Sequence, residues 1–434
     1  MTSTACPCAQ RLLFVGLDFG TTYSGAACVL AWHCMKHQYF AEISSAEVDK
    51  FRTYLSVSSQ GGGMRFLPAI EDCGVGETSL QLFKLNLMSH EPWTSNREDA
   101  AVATTLNARW RSRVSTTDDV TPVAIYLRGL FEHTIRKLEP WIRGRNAAEV
   151  SVVVVLASPA CWTTETNARF QRAVQLSGIG SQQIIGDRTR QTRIVIDREH
   201  MAALRGSESK RDYGTMLHEE SIPEKIIVVD VGGDAVVYRN APGDSPSKSR
   251  LGGSLLVDCH FMDFLEVWIR KNFPVRPEQN QDLYRERSNV LSIWWGQRQK
   301  FNYLPHIPGP PLEVKLLEKT LTIGREEFKE FFKDTVEIIA KVVEDLFDEE
   351  LEQTGDAPNF VTLTGGFSHC QWLVVALADR LKESPARNLR LAPASTQCRW
   401  NAVAIGAAYM YWTLSQPDAE PQGEAPCDEA EDNE

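Results

Sequence analysis

What this chain lacks narrows it first. No apolar run reaches the roughly 18–20 residues of a membrane helix. The opening Met1–Gln10 has no basic region followed by an apolar one, so no secretion signal is read there. There is no CxxC pair, and Cys6-Pro7-Cys8 is too tight for a zinc ribbon, so the ten cysteines predict no structural metal. His33, Cys34 and His37 read more readily as a polar strand end than as a ligand set. Free buried thiols in a cytoplasmic protein are the expectation. No basic stripe marks a nucleic-acid surface. No G-x-x-x-x-G-K-[ST] is present, which excludes a P-loop. Gly74-Val75-Gly76-Glu77 lacks the strand-to-helix context of a dinucleotide fingerprint.

What remains is a chain of 434 residues, 43% hydrophobic and 24% charged, long enough for two cores. Its formal charge of −11 is uneven. Asp418, Glu420, Glu424, Asp428, Glu429, Glu431, Asp432 and Glu434 carry eight of those charges in a stretch without Lys or Arg. That composition predicts a disordered acidic tail over 414–434, with a second disordered segment over 1–11.

Two stretches share one grammar. Leu12–Leu17 is a buried-strand run followed by Asp18, Gly20 and a second apolar stretch, Ser24–Leu30. Lys225–Val231 is another, followed by Gly232-Gly233 and then Asp234–Tyr238. Each predicts a β-hairpin with an acid at the strand end and glycine at the turn. They lie about half a chain apart, as two copies of one domain plan would. Helices are predicted over 120–139, 163–177, 255–271, 280–301, 324–352, 368–383 and 399–413, and strands over 150–156, 192–196, 312–316, 320–323 and 359–363. Gln60–Gly63 and Ala241–Lys248 are expected as surface insertions. Alternation of this kind predicts an α/β protein with a mixed, mostly parallel sheet in each of two lobes. Its boundaries are 12–222 for the first lobe and 223–413 for the second.

The chemistry sits at the turns. A phosphate chain needs inward-pointing N–H groups and close backbone, which Gly20, Thr21 and Thr22 supply. A carboxylate at the strand end repels phosphate unless a cation intervenes, so Asp18 implies Mg²⁺ held largely through water. The alternative is an ordinary tight hairpin.

Here the sequence resembles the seventy-kilodalton heat-shock protein family of the actin-like ATPase superfamily. Gly16-Leu17-Asp18-Phe19-Gly20-Thr21-Thr22-Tyr23-Ser24 matches its first phosphate motif. Ser158-Pro159-Ala160-Cys161-Trp162 resembles its connector, and Asp197-Arg198-Glu199-His200-Met201-Ala202-Ala203 its Glu-Pro-x-Ala-Ala element. Asp230-Val231-Gly232-Gly233 resembles the second phosphate motif, and Leu251-Gly252-Gly253 the turn after it. Val361–Ser368 resembles the adenosine motif, and Ala402–Ala407 the closing helix. The resemblance covers about residues 12 to 413, and the Phe367 and Trp162 variants look closest to a divergent branch that includes many fungal members.

The resemblance implies an actin-like fold of two duplicated ribonuclease-H-like domains around a central cleft that takes ATP or ADP with Mg²⁺. It implies Asp18 and Asp230 near the metal, and Gly20, Thr21, Thr22, Tyr23, Gly232 and Gly233 at the phosphates. Glu199 falls near the attacking water. Lys84 is the lysine that reaches the γ-phosphate, or else a lysine on an exposed helix. Gly365, Gly366 and Ser368 flank the adenosine, and Arg298 stands for a lysine on the ribose side. Trp294 and Trp295 read as core rather than as an adenine stack.

Three departures bear on turnover. Where the family has a third glycine, a threonine and a final aspartate, this chain has Asp234, Ala235 and Val237. A second negative charge a few ångströms from phosphate costs roughly 1–4 kcal/mol. Phosphoryl transfer rests on positioning and charge neutralisation, so hydrolysis is expected to be weak or lost. No counterpart of the family's peptide-binding domain is expected before the acidic tail. The expectation is therefore a nucleotide-binding protein whose lobe closure is read by an unidentified protein partner. The alternatives are an active ATPase acting as a chaperone-like regulator, a small-molecule kinase and a nucleotide-free scaffold.

Overall fold

The computed structural model describes residues 9–34, 39–58, 63–67, 77–81, 83–87, 119–143, 150–159, 162–179, 189–199, 202, 226–233, 235–239, 248–250, 252–384, 386, 389–392 and 401–409. The expected disordered segments fall outside these residues, apart from the first positions of β1, as do Asp234 and most of the two expected insertions.

The first half opens with an antiparallel meander, β1 (Ala9–Asp18), β2 (Tyr23–Cys34) and β3 (Tyr39–Arg52). A small antiparallel sheet of β4 (Tyr54–Ser58), β5 (Met64–Phe66) and β6 (Glu77–Gln81) follows, then the short helix α1 (Phe83–Asn86). Helix α2 (Val120–Arg143) leads to β7 (Val150–Ser158), α3 (Thr164–Ser177) and β8 (Thr189–Arg198). Thr163 caps α3, its side chain accepting from the Thr166 N–H, and Gly178 ends the helix at φ 71°. The resulting five-stranded sheet has the order β3-β2-β1-β7-β8, with β1, β7 and β8 parallel.

The second half has β9 (Ile226–Val231), β10 (Ala235–Arg239), β11 (Lys248–Arg250) and α4 (Ser254–Asn272). Then come α5 (Gln281–Asn289), a π-helix over Val290–Gln299 and α6 (Lys300–Asn302). The hairpin β12 (Leu312–Leu316) and β13 (Lys319–Ile323) precedes α7 (Arg325–Thr354), β14 (Phe360–Thr364), α8 (Gln371–Lys382) and β15 (Arg390–Ala392). A last described helix, α9, covers 401–409. The second five-stranded sheet runs β11-β10-β9-β14-β15, with β9, β14 and β15 parallel. A three-strand meander followed by two parallel strands is thus used twice, as the paired sequence grammar predicts.

Side-chain alternation explains the packing. On β1, Leu13, Val15 and Leu17 enter a core with α2 and α3, while Phe14 enters another on the opposite face. On β7, Val152, Val154 and Leu156 share the first core, and Val153, Val155 and Ala157 the second. That second core also takes Val228 from β9 and Val403, Ala404, Ala407 and Ala408 from α9, so one apolar layer joins the two sheets. The largest core lies under the second sheet, against α4, α7 and α8. Among the described residues no helix is long and apolar enough to cross a membrane.

Candidate functional site

Both acid–glycine turns leave their sheets at the same point of the shared plan, the C-terminal end of a central strand. That is where open α/β sheets bind ligands. A cavity of about 540 Å³ opens there, within the range typical of small-molecule sites.

The first turn is held from below. Phe19 is fully buried, its ring parallel to that of Phe170 at 6.1 Å and tilted on Tyr126 at 5.7 Å. Burying such a ring anchors the turn by about 3–5 kcal/mol relative to alanine. Thr53 then fixes the backbone. Its N–H donates to the Thr22 carbonyl and its hydroxyl to the Gly20 carbonyl, each at 2.8 Å, and its Oγ1 lies 2.8 Å from Ser24 Oγ. With those carbonyls engaged on the Thr53 side, Gly20, Thr21, Thr22 and Tyr23 line the cavity. Burial pushes the Tyr126 hydroxyl far above its ordinary pKa of 10.0, so the group beneath the turn stays neutral.

The second turn follows Asp230, which is 8% exposed at the end of β9. The Gly232 carbonyl accepts from the Ser254 N–H at 3.0 Å, seating the turn on the start of α4. A β-carbon on Gly233 would lie 3.2 Å from Thr22 Cγ2 and 3.3 Å from Thr21 Cβ, so the two turns approach closely, with little room left for a side chain at Gly233. Thr364 of β14 pairs in register with Asp230, and Gly365 follows at φ 82°. A side chain at Gly365 would run into the Asp230 carboxylate, so glycine is required by conformation and by space.

Lysines accompany the carboxylates. Lys50 Nζ lies 2.8 Å from Asp18 Oδ2, with both side chains nearly closed to solvent. Lys84 Nζ lies 3.7 Å from Glu199 Oε2, flanked by the Phe19 ring at 5.6 Å and the Trp162 ring at 5.5 Å. At the other end Lys300 Nζ donates to both Asp258 oxygens, at 2.8 and 2.9 Å, and sits over Phe301 and Phe367. Asp18, Lys50, Lys84, Glu199, Asp230, Asp258 and Lys300 all line the cavity. Lys84 is therefore buried, and the exposed-helix alternative falls.

Gly20, Thr21, Thr22, Tyr23, Gly232, Gly233, Gly365 and Gly366, all expected at the nucleotide, also line the cavity. Two expected residues do not. Ser368 is fully buried and donates to the Gly365 carbonyl at 2.7 Å, so it shapes the turn instead of facing the cavity. Arg298, expected on the ribose side, is exposed and outside the lining. The segment is a π-helix, with the Lys300 N–H donating to the Trp295 carbonyl. Lys300 takes the inward position. Trp295 is core, its ring 4.1 Å from Phe261 and nearly parallel to it, and its Nε1 donates to Asp258 Oδ1 at 2.8 Å. Trp294 packs against the same core.

Lys50, Arg52, Thr53 and Asp258 were missed by sequence reasoning. Arg52 reaches across the cavity, Nε donating to the Tyr23 hydroxyl at 3.3 Å and Nη2 to the Ser292 carbonyl at 3.4 Å. No local motif marks these positions.

A resident Mg²⁺ requires oxygen ligands. Asp18 already has an ammonium against it, and among the described residues no three His, Cys, Asp or Glu side chains are grouped to hold a metal ion. Asp18 and Asp230, which the sequence places near a largely water-held Mg²⁺, both line the cavity, and Asp18 is paired there with the Lys50 ammonium. Cys28, Cys259 and Cys370 are buried, and burial pushes the Cys370 thiol up to about 12. No protein-family model matches the chain, and no curated protein sequence matches it either.

Proposed function

We propose that this chain binds an adenine nucleotide, ATP or ADP, between two lobes of an actin-type fold, with weak or absent hydrolysis, in the manner its resemblance to the seventy-kilodalton heat-shock family implies. The observation that carries the reading is the meeting of the two acid–glycine turns. Each follows a central strand of two like-ordered sheets, and the turns converge where Gly233 approaches Thr21-Thr22 with little room for a side chain between them. Phosphates would lie against the backbone of Gly20–Tyr23 and Gly232-Gly233. The adenosine would extend toward Gly365, Gly366 and Phe367, with Lys300 on that wall. The changes at Asp234, Ala235 and Val237 support slow turnover. Output would be a shift in lobe closure, read by a protein partner.

A second reading, a slow ATPase, draws support from the Lys84–Glu199 pair at the γ-phosphate end. Calorimetry with ATP and ADP tests the first reading: binding at or below millimolar concentration is expected, and its absence sinks the proposal. Single-turnover hydrolysis compared with Asp18→Asn separates the two. A rate abolished by the substitution establishes the enzyme, and an unchanged background rate leaves a binding protein.

A further inference from the structure

Lys50 is a built part of the site, on three separate observations. In the pairing of β2 with β3, Ser24 faces Phe51 and Ala26 faces Val48, so Asp49 and Lys50 stand opposite the single residue Gly25. That is a β-bulge, a device that re-aims a side chain, often beside an active site. Gly25 is also the register partner of Asp18 across β1 and β2. A β-carbon there would lie 3.1 Å from Lys50 Cε and 3.2 Å from Lys50 Cγ, so the lysine stem crosses β2 in the space glycine leaves. The ammonium then ends 2.8 Å from Asp18 Oδ2, with side-chain exposures of only 6% and 5%.

Resting on the nucleotide-binding reading, we infer that Lys50 is a resident counter-ion that lets phosphate bind beside Asp18 without a divalent metal. The charge argument is local. Phosphate beside a bare buried carboxylate is repelled, and a cation between them removes the repulsion. Divalent metal is one such cation; an ammonium delivered by the chain is another, and it carries donors that a phosphate oxygen accepts directly. The cavity is laid out consistently. Of the four carboxylates that line it among the described residues, Asp18, Glu199 and Asp258 each have a lysine within 4 Å, namely Lys50, Lys84 and Lys300. The ligand class is thus a nucleoside polyphosphate taken as the free anion.

The test is calorimetry of ATP and ADP with the full chain, once with Mg²⁺ and once with EDTA. The expected result is affinity equal within about threefold in the two conditions. The Lys50→Met variant keeps the stem and removes the charge; it is expected to lose about tenfold or more in EDTA and to regain affinity with Mg²⁺. Thermal unfolding of the unmodified chain with MgCl₂ alone should show no shift. Binding that needs Mg²⁺ overturns the counter-ion role and leaves the nucleotide reading intact. Binding in neither condition overturns both. The unmodified chain decides the matter even if Lys50→Met does not fold. A folded Lys50→Met that binds in EDTA as the unmodified chain does also overturns it.

Discussion

Lys84 Nζ stands 3.7 Å from Glu199 Oε2, two buried opposite charges from elements more than a hundred residues apart. Lys84 comes from the short helix α1, and Glu199 directly follows β8. The two aromatic rings beside the ammonium remove water from it, so the charges depend on each other.

Breaking that pair from one side should be costly. Lys84→Met leaves Glu199 buried without its lysine, a loss of about 3–5 kcal/mol in unfolding free energy. The double substitution Lys84→Met/Glu199→Gln should recover at least about 1 kcal/mol relative to the sum of the singles. A urea double-mutant cycle reads this directly; additive effects would mean that the two charges are not coupled.

Gly365→Ala tests the joint between β14 and the cavity. Its φ of 82° and the Asp230 carboxylate both oppose a side chain. The substitution should destabilise the protein by more than about 1 kcal/mol and weaken nucleotide binding, since it pushes on Asp230. Denaturation and calorimetry give the two numbers. A stable variant with unchanged affinity would show that the turn has room to spare.

His133 makes stability depend on pH. Burial holds its imidazole below the ordinary 6.5, and Lys137 and Arg136 add to this. Its ring stands edge-on to Phe51 at 4.8 Å. Because the folded pKa is depressed, the unfolded chain binds the proton more tightly. Stability is therefore full above 6.5 and falls as pH drops through the window between 6.5 and the lower folded value. His133→Gln should flatten that part of a plot of Tm against pH, and an unchanged slope would assign the acid sensitivity to other groups.

The parts of this fold that were legible are those where local pattern and tertiary role agree. Leu12–Leu17 and Val150–Leu156 are runs that only a buried strand explains, and Asp18 and Asp230 stand at strand ends beside glycines. Gly178 marked the end of α3 because a left-handed turn residue stops a helix. Tyr39–Arg52 was not read as a strand: its Ala, Ser and Glu residues lack sustained alternation, and its place is set by pairing with β2. Lys50 was invisible for the same reason, since a bulge decides where it points. Arg298 was placed by matching a family motif, whereas Lys300, which pairs with Asp258 just after the π-helix, has no motif to mark it.

That segment, Val290–Gln299, has a consequence for how this chain tolerates editing. A π-helix accommodates more residues per turn than the α-helices it joins, α5 before it and α6 after it. Removing one residue within it would not shorten a surface loop. It would let the wall relax to α-helical bonding and rotate everything that follows, carrying the Lys300 ammonium away from Asp258 while the sequence on either side stayed the same. The cavity's far wall is thus specified by a count of residues as much as by their identity.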